Sequence, residues 1–171
     1  FLLDLFFPKT CFSCQREGDY LCQDCKATLE VSSLHKKFST PYLSDLYFPV
    51  PYQNPLIKNL IQKFKYEPFA KELAKPLSSL IIEHFQLLDQ MPNFFYPVRN
   101  RGSSNGADYI LIPAPLGKKR LKWRGFNQSR EIAEELANSL GLKILTDVLM
   151  KTKETLPQVD LAEENRKENL K

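Results

Sequence analysis

Apolar positions along this chain change spacing from segment to segment, and each spacing predicts an element. Phe1 to Phe7 is apolar apart from Asp4 and too short to span a bilayer, so it reads as a short amphipathic turn that packs on the neighbouring cysteine-rich segment. Prolines break the stretch from Pro41 to Tyr52, leaving a short strand around Leu46 to Val50. From Leu56 the period becomes helical: Leu56, Ile57, Leu60, Ile61 and Phe64 form a stripe, with Lys58, Lys63 and Lys65 facing away. Asn54 and Pro55 have the chemistry of an N-cap and a first helical residue, and Pro68 predicts an end near Tyr66. A second helical pattern runs over about 69–88 on Leu73, Leu77, Leu80, Ile81 and Leu88. Pro76 falls inside it and predicts a kink or two shorter helices. Pro92, Pro97 and the run Gly102 to Gly106 then mark a loop, whose first half (Phe94, Phe95, Tyr96) has apolar material to bury.

The next stretch organises the rest. Tyr109 to Ile112 is a continuous apolar run closed by Pro113 and Pro115, which predicts a strand buried on both faces. A basic loop comes next, with Lys118, Lys119, Arg120, Lys122 and Arg124 around Trp123. A helix then starts at Asn127 or Ser129, carries Glu131 in or near its first turn, and ends at Gly141. Ile132, Ala133, Leu136, Ala137 and Leu140 share one face. Leu142 to Met150 predicts another strand and the start of a connection. The charged stretch 151–171 reads as a mobile loop with a short helix around Ala162 to Asn169. Strand, cationic loop and helix form an α/β unit in which ligands bind beyond the strand's carboxyl end, and a helix N-terminus there favours anions. Gly117, Lys118, Lys119, Arg120, Arg124, Gly125, Asn127 and Gln128 are the candidate phosphate-binding residues. Gly117 and Gly125 are expected to permit close backbone approach. Charge alone supports a solvated face equally well.

Composition narrows the class. The chain has 171 residues, 43% hydrophobic and 26% charged, enough for one ordinary domain and a small module. Its net charge of +4 falls by two when four thiolates take one divalent ion, so a nucleic-acid argument has to rest on a local patch. No apolar run reaches the length of a membrane span. The cysteines form two C-x-x-C pairs, Cys11 with Cys14 and Cys22 with Cys25. Two knuckles at that spacing aim four sulfurs at one tetrahedral ion, and thiolates favour zinc over hard cations. A redox dithiol, a pair of disulfides and an iron–sulfur centre are the alternatives. With all four positions filled by protein, the centre is structural and suits a reducing cytoplasm. His35 and His84 read as surface or partly packed side chains rather than further ligands.

Pro113-Ala114-Pro115-Leu116, Arg120 and above all Arg124-Gly125-Phe126-Asn127-Gln128 resemble the ComF family of competence-associated, phosphoribosyltransferase-like proteins. The paired cysteines and the lysine-aromatic run Lys63-Phe64-Lys65-Tyr66 also resemble that family, so the likeness spans nearly the whole chain. It implies an α/β fold: a partial type I phosphoribosyltransferase-like domain over 108–171, preceded by a four-cysteine zinc ribbon over 1–30, a helical segment over 41–90 and a loop over 91–107. It also implies phosphoribosyl pyrophosphate (PRPP) with Mg²⁺ as ligand, Gln158, Arg166 and Asn169 in a closing loop, and a place in DNA uptake beside other competence-machinery proteins. The family's later strand, with paired acidic residues and a Thr/Gly-rich turn, has no counterpart here. The chain is therefore expected to be a carboxyl-truncated version, or a fragment of a longer gene, inactive alone in phosphoribosyl transfer. Two other readings stand beside the enzyme-derived one. The first is a single-stranded DNA-binding accessory that stacks bases on Trp123. The second is a zinc-stabilised interaction module without a ligand.

Overall fold

The computed structural model describes residues 8–88 and 109–153. The expected turn at 1–7, the loop at 91–107 and the closing-loop residues Gln158, Arg166 and Asn169 lie outside them. The described chain is a mixture of helices and two small sheets, one antiparallel and one parallel.

The first turns are a hairpin closed by a bridge between Thr10 and Glu17, followed by helix α1, Gln23–Ala27. Strands β1 (Lys36–Lys37) and β2 (Asp45–Leu46) pair antiparallel, Lys36 opposite Leu46. The expected strand at Leu46 to Val50 therefore lies earlier and is shorter, because prolines at 49 and 51 remove ladder donors.

Helix α2, Pro55–Lys65, obeys its pattern closely. Asn54 accepts from the N–H groups of Leu56 and Ile57, and Pro55 opens the first turn where no donor is required. Ile57, Leu60 and Phe64 are buried on its inner face. A 3₁₀ turn, Lys71–Leu73, leads into α3, Ala74–Leu87. Pro76 does not split α3. It falls in the first turn, where the N–H groups have no intrahelical acceptor.

Beyond residue 109 lies a parallel unit: β3 (Ile110–Leu111), α4 (Lys118–Arg124), α5 (Gln128–Leu140) and β4 (Lys143–Ile144), with Ile110 opposite Lys143. Two expectations are corrected here. The run at 109–112 is not buried on both faces: Tyr109, Ile110 and Ile112 are 42%, 43% and 45% exposed. Among the described residues β4 is the only strand beside β3. The basic stretch is not a loop but a helix. Lys, Arg, Leu and Trp all tolerate helical geometry, and Gly125 ends it in the left-handed region at φ 78°. Helix α5 starts at Asn127, whose side chain accepts from the Ser129 N–H, and ends at Gly141, φ 65°.

One core joins these pieces. Leu21 and Leu29 from the cysteine-rich turns, Leu60 and Phe64 from α2, Leu73, Leu77 and Leu80 around α3, and Phe126 before α5 pack together. Ser78 on α3 donates to the Ile132 carbonyl on α5 at 3.3 Å. His84, expected at the surface or partly packed, is wholly buried on α3. Its Nδ1 lies 2.6 Å from the Ser32 carbonyl, and its ring meets Tyr47 and Phe85. His35 is only partly covered, stacks on Tyr47 at 5.2 Å, and lies 3.3 Å from Asp45.

Candidate functional site

The hairpin and α1 bring the four cysteines together. Cys11 and Cys14 flank a tight turn in which the Gln15 N–H donates to the Cys11 carbonyl at 2.9 Å. The second pair is not a second knuckle: Cys22 is the N-cap of α1 and Cys25 lies within it. Arg16 pairs with Asp24, tying hairpin to helix. The four Sγ atoms all lie within 4.8 Å of one another, and Cys14 and Cys22 are 3.6 Å apart. A tetrahedron with Zn–S near ~2.3 Å has S···S edges of about 3.8 Å, so the set fits one such ion. A disulfide needs about 2.05 Å, and all four cysteines are free.

The electrostatics of the cluster point the same way. Burial opposes a Cys11 thiolate. Backbone N–H groups of Cys22, Cys14 and Ser13 and the Cys14 side chain outweigh burial and bring Cys11 down to about 6. Cys25 goes the other way. Ser13 favours its thiolate, but hydrogen bonding with Cys22, Cys14 and Cys11, together with burial, pushes it up to about 12. Four sulfurs this close do not all ionise without a cation among them. These cysteines can hold a metal ion such as zinc.

The second constellation joins α2 to α4. Helix α2 ends at Lys65, and the chain turns through Tyr66 to Phe69 against α4. The Trp123 ring stands edge-on to Phe69 at 5.0 Å and tilted to Tyr66 at 6.1 Å. The Arg124 guanidinium lies over the rings of Tyr66 (5.3 Å) and Trp123 (5.8 Å). Trp123 is nevertheless 55% exposed. Burial, then the Arg120 charge, lowers the Arg124 pKa; burial, then the Arg124 charge, lowers that of Lys65. Arg124 thus carries positive charge onto a partly exposed indole, and Lys65 and Arg120 add to the positive charge it feels.

Of the sequence-predicted residues, Trp123 and Arg124 form this surface and Lys118, Gly125 and Asn127 border a cleft, while Gly117 is the N-cap of α4 and Lys119 lies exposed within α4, bordering neither. The cleft, of about 450 Å³, lies between the prolines that follow β3, α4, α5 and the chain that follows β4, and is lined in part by Pro113, Lys118, Asn127, Lys71, Glu131 and Glu134. Lys71 pairs with Glu131 at 3.1 Å and Arg130 with Glu134 at 2.7 Å, so its lining is of mixed sign. Trp123 and Arg124 do not border it. Asn127 is occupied as a cap and as donor to the Ala114 carbonyl at 3.0 Å. Gln128 is buried and is not a surface ligand. Gly125 borders the cleft, takes the left-handed φ that ends α4, and has open space where a Cβ would stand.

Sequence reasoning missed Tyr66 and Phe69 as part of this surface. The lysine-aromatic run Lys63 to Tyr66 carries a signal, but its partner lies far along the chain. No family model, curated protein or solved structure matches the chain. Among the described residues no helix is long and apolar enough to cross a membrane.

Proposed function

We propose that this chain is a ComF-like, phosphoribosyltransferase-related protein that works in DNA uptake. Its four cysteines hold one structural zinc, and its cationic aromatic surface takes a phosphate-bearing ligand. Of the ligands the residues suggest, a single nucleic-acid strand is favoured over PRPP with Mg²⁺. One observation carries this: Trp123 offers an exposed ring with the Arg124 guanidinium over it, the pairing of stacking face and backbone charge that binds single strands. The cleft beyond β3 is lined by Lys71, Lys118, Arg130 and Lys151 against Glu131 and Glu134, and pairing of Lys71 and Arg130 with those carboxylates leaves it less charge for a compact pyrophosphate than its cations suggest.

The zinc's part is to fold the residues around it. The closed set of four thiols leaves no position for a substrate, so no chemical step is assigned to the metal. Asn59 on α2 donates to the Phe12 carbonyl at 3.1 Å, and Lys26 on α1 pairs with Glu83 on α3 at 3.6 Å. These contacts make the metal-bearing turns part of the platform's foundation.

The test is a salt series. Binding of a thymidine oligonucleotide is expected to weaken linearly in log–log form as salt rises, and to weaken further in Trp123→Ala and Arg124→Ala. Affinity indifferent to salt and to both substitutions sinks the reading. Tight, saturable binding of PRPP with Mg²⁺, with none of the oligonucleotide, replaces it with the enzyme-derived one.

A further inference from the structure

Gln128 is buried, yet both ends of its amide are engaged. Its Oε1 accepts from Arg124 Nη1 at 3.0 Å, and its Nε2 donates to the Phe64 carbonyl at 3.3 Å. The orientation is forced by chemistry. A guanidinium only donates and a carbonyl only accepts, so the amide cannot be turned around without losing both bonds. Phe64 lies in the last turn of α2, whose carbonyls lack helical partners; Gln128 satisfies one of them from the first residue of α5. The same side chain therefore ties α5 to α2 and fixes the guanidinium of Arg124.

Arg124 itself is not saturated by protein. Its Nε is buried without a hydrogen-bond partner among the described residues, and no carboxylate pairs with it there. A free arginine side chain loses rotamer entropy when it is ordered on a ligand. Here that ordering is already done, by Gln128 on one side and by the Tyr66 and Trp123 rings on the other.

We infer that Gln128 is a positioning residue: it holds the Arg124 guanidinium against Tyr66 and Trp123, so that charge and stacking face meet a nucleic-acid strand pre-ordered. The inference rests on the single-strand reading above for its ligand, but its geometry is testable without one. A purely structural Gln128 would serve only the Phe64 carbonyl, and its loss would be indifferent to Arg124.

Trp123 is the only tryptophan, so its fluorescence reports this surface alone. The experiment uses the full chain loaded with zinc and compares wild type, Gln128→Met, Arg124→Ala and the double variant. Binding of a thymidine oligonucleotide is read from Trp123 emission, and acrylamide quenching is read in the free protein. Gln128→Met keeps the volume and removes both hydrogen bonds. It is expected to weaken binding about fivefold in the wild-type background and not at all in the Arg124→Ala background, the signature of coupled residues. It is also expected to lower Tm in both backgrounds through the Phe64 carbonyl, by more where Arg124 is present to lose its bond as well, and to raise acrylamide quenching as Arg124→Ala does. An equal loss of affinity with and without Arg124 overturns the inference. If the wild-type chain binds no oligonucleotide, the single-strand reading fails, and quenching still decides the geometry. Raised quenching in both single variants supports positioning, and unchanged quenching in Gln128→Met overturns it.

Discussion

The four-thiol cluster draws its donors from two local spacings, each a C-x-x-C pair held by its own turn or helix. The cationic aromatic surface is assembled from the end of α2 and the end of α4, and the bond that braces it spans 64 positions, from Phe64 to Gln128. One site is closed in its donor set, with Cys11 fully buried though Cys14 is exposed; the other leaves its central ring half in water. The difference separates two ways of specifying chemistry. A local motif can state its ligand before the chain folds. A tertiary surface acquires its chemistry only when packing brings unrelated segments side by side.

The sharpest way to probe the contrast is to remove the metal. Small four-ligand zinc units gain on the order of 10 kcal/mol from the ion, so stripping it should be the largest perturbation available. A strong chelator is expected to lower Tm sharply and expose Leu21 and Leu29, and elemental analysis before treatment should find one zinc per chain. Affinity should also fall as pH falls. Cys25, held up at about 12 in the metal-free cluster, must give up its proton to bind, while Cys11, near 6, is already largely ionised at neutral pH. An unchanged melting curve after complete zinc removal would detach the cysteines from the fold.

A core substitution between the two sites comes next. Leu60 is fully buried on α2 and belongs to the same cluster as Leu21 and Phe126. Leu60→Ala is expected to cost about 2–5 kcal/mol in denaturant unfolding. A single transition should shift as a whole. Two separated transitions would show that the metal-bearing turns and the β3–β4 unit do not share one core.

On the open surface the effects should be functional first. Trp123→Ala is expected to reduce oligonucleotide affinity about tenfold, the usual worth of one stacked base. Stability should change by about 1 kcal/mol or less, since more than half of the ring is already exposed. A large loss of stability with unchanged binding would make Trp123 a packing residue and move the contact elsewhere.

These magnitudes reflect how far sequence pattern reaches. The stripe Ile57, Leu60 and Phe64, the Asn54 and Asn127 caps and the Gly141 stop were all legible, because each rests on neighbours within one or two turns. The cysteine cluster was legible for the same reason, although the helix under its second pair was not. Arg120 and Arg124 were visible as charges, but their place on a helix was not. Clustered lysine and arginine read as a loop, while their long stems are compatible with a helix that Gly117 and Gly125 flank. His84 was misjudged because burial of a polar ring depends on a distant acceptor, the Ser32 carbonyl.

A smaller effect belongs to the α5 start. Asn127→Ala removes an N-cap and the bond to Ala114, and should cost about 1 kcal/mol. It should leave Arg124 and Gln128 in contact, so oligonucleotide binding is expected to stay within about twofold. A loss as large as that of Trp123→Ala would extend the surface into the cleft and return Asn127 to the ligand-binding set.

The smallest expected change falls on β3, where sequence and structure disagree most. A continuous apolar run asks for cover on both faces, yet Ile110 is 43% exposed beside β4. In the geometry described, Ile110→Thr keeps a β-branched side chain on a half-open surface and should alter stability by about 0.5 kcal/mol or less. A cost of about 2 kcal/mol or more in the full chain would mean that Ile110 is covered in solution. The pattern of 109–112 would then be that of an interior strand, as its sequence reads. The comparison would change with it. The open half of the molecule would no longer contrast with the closed one across its whole extent, only at the aromatic surface around Trp123.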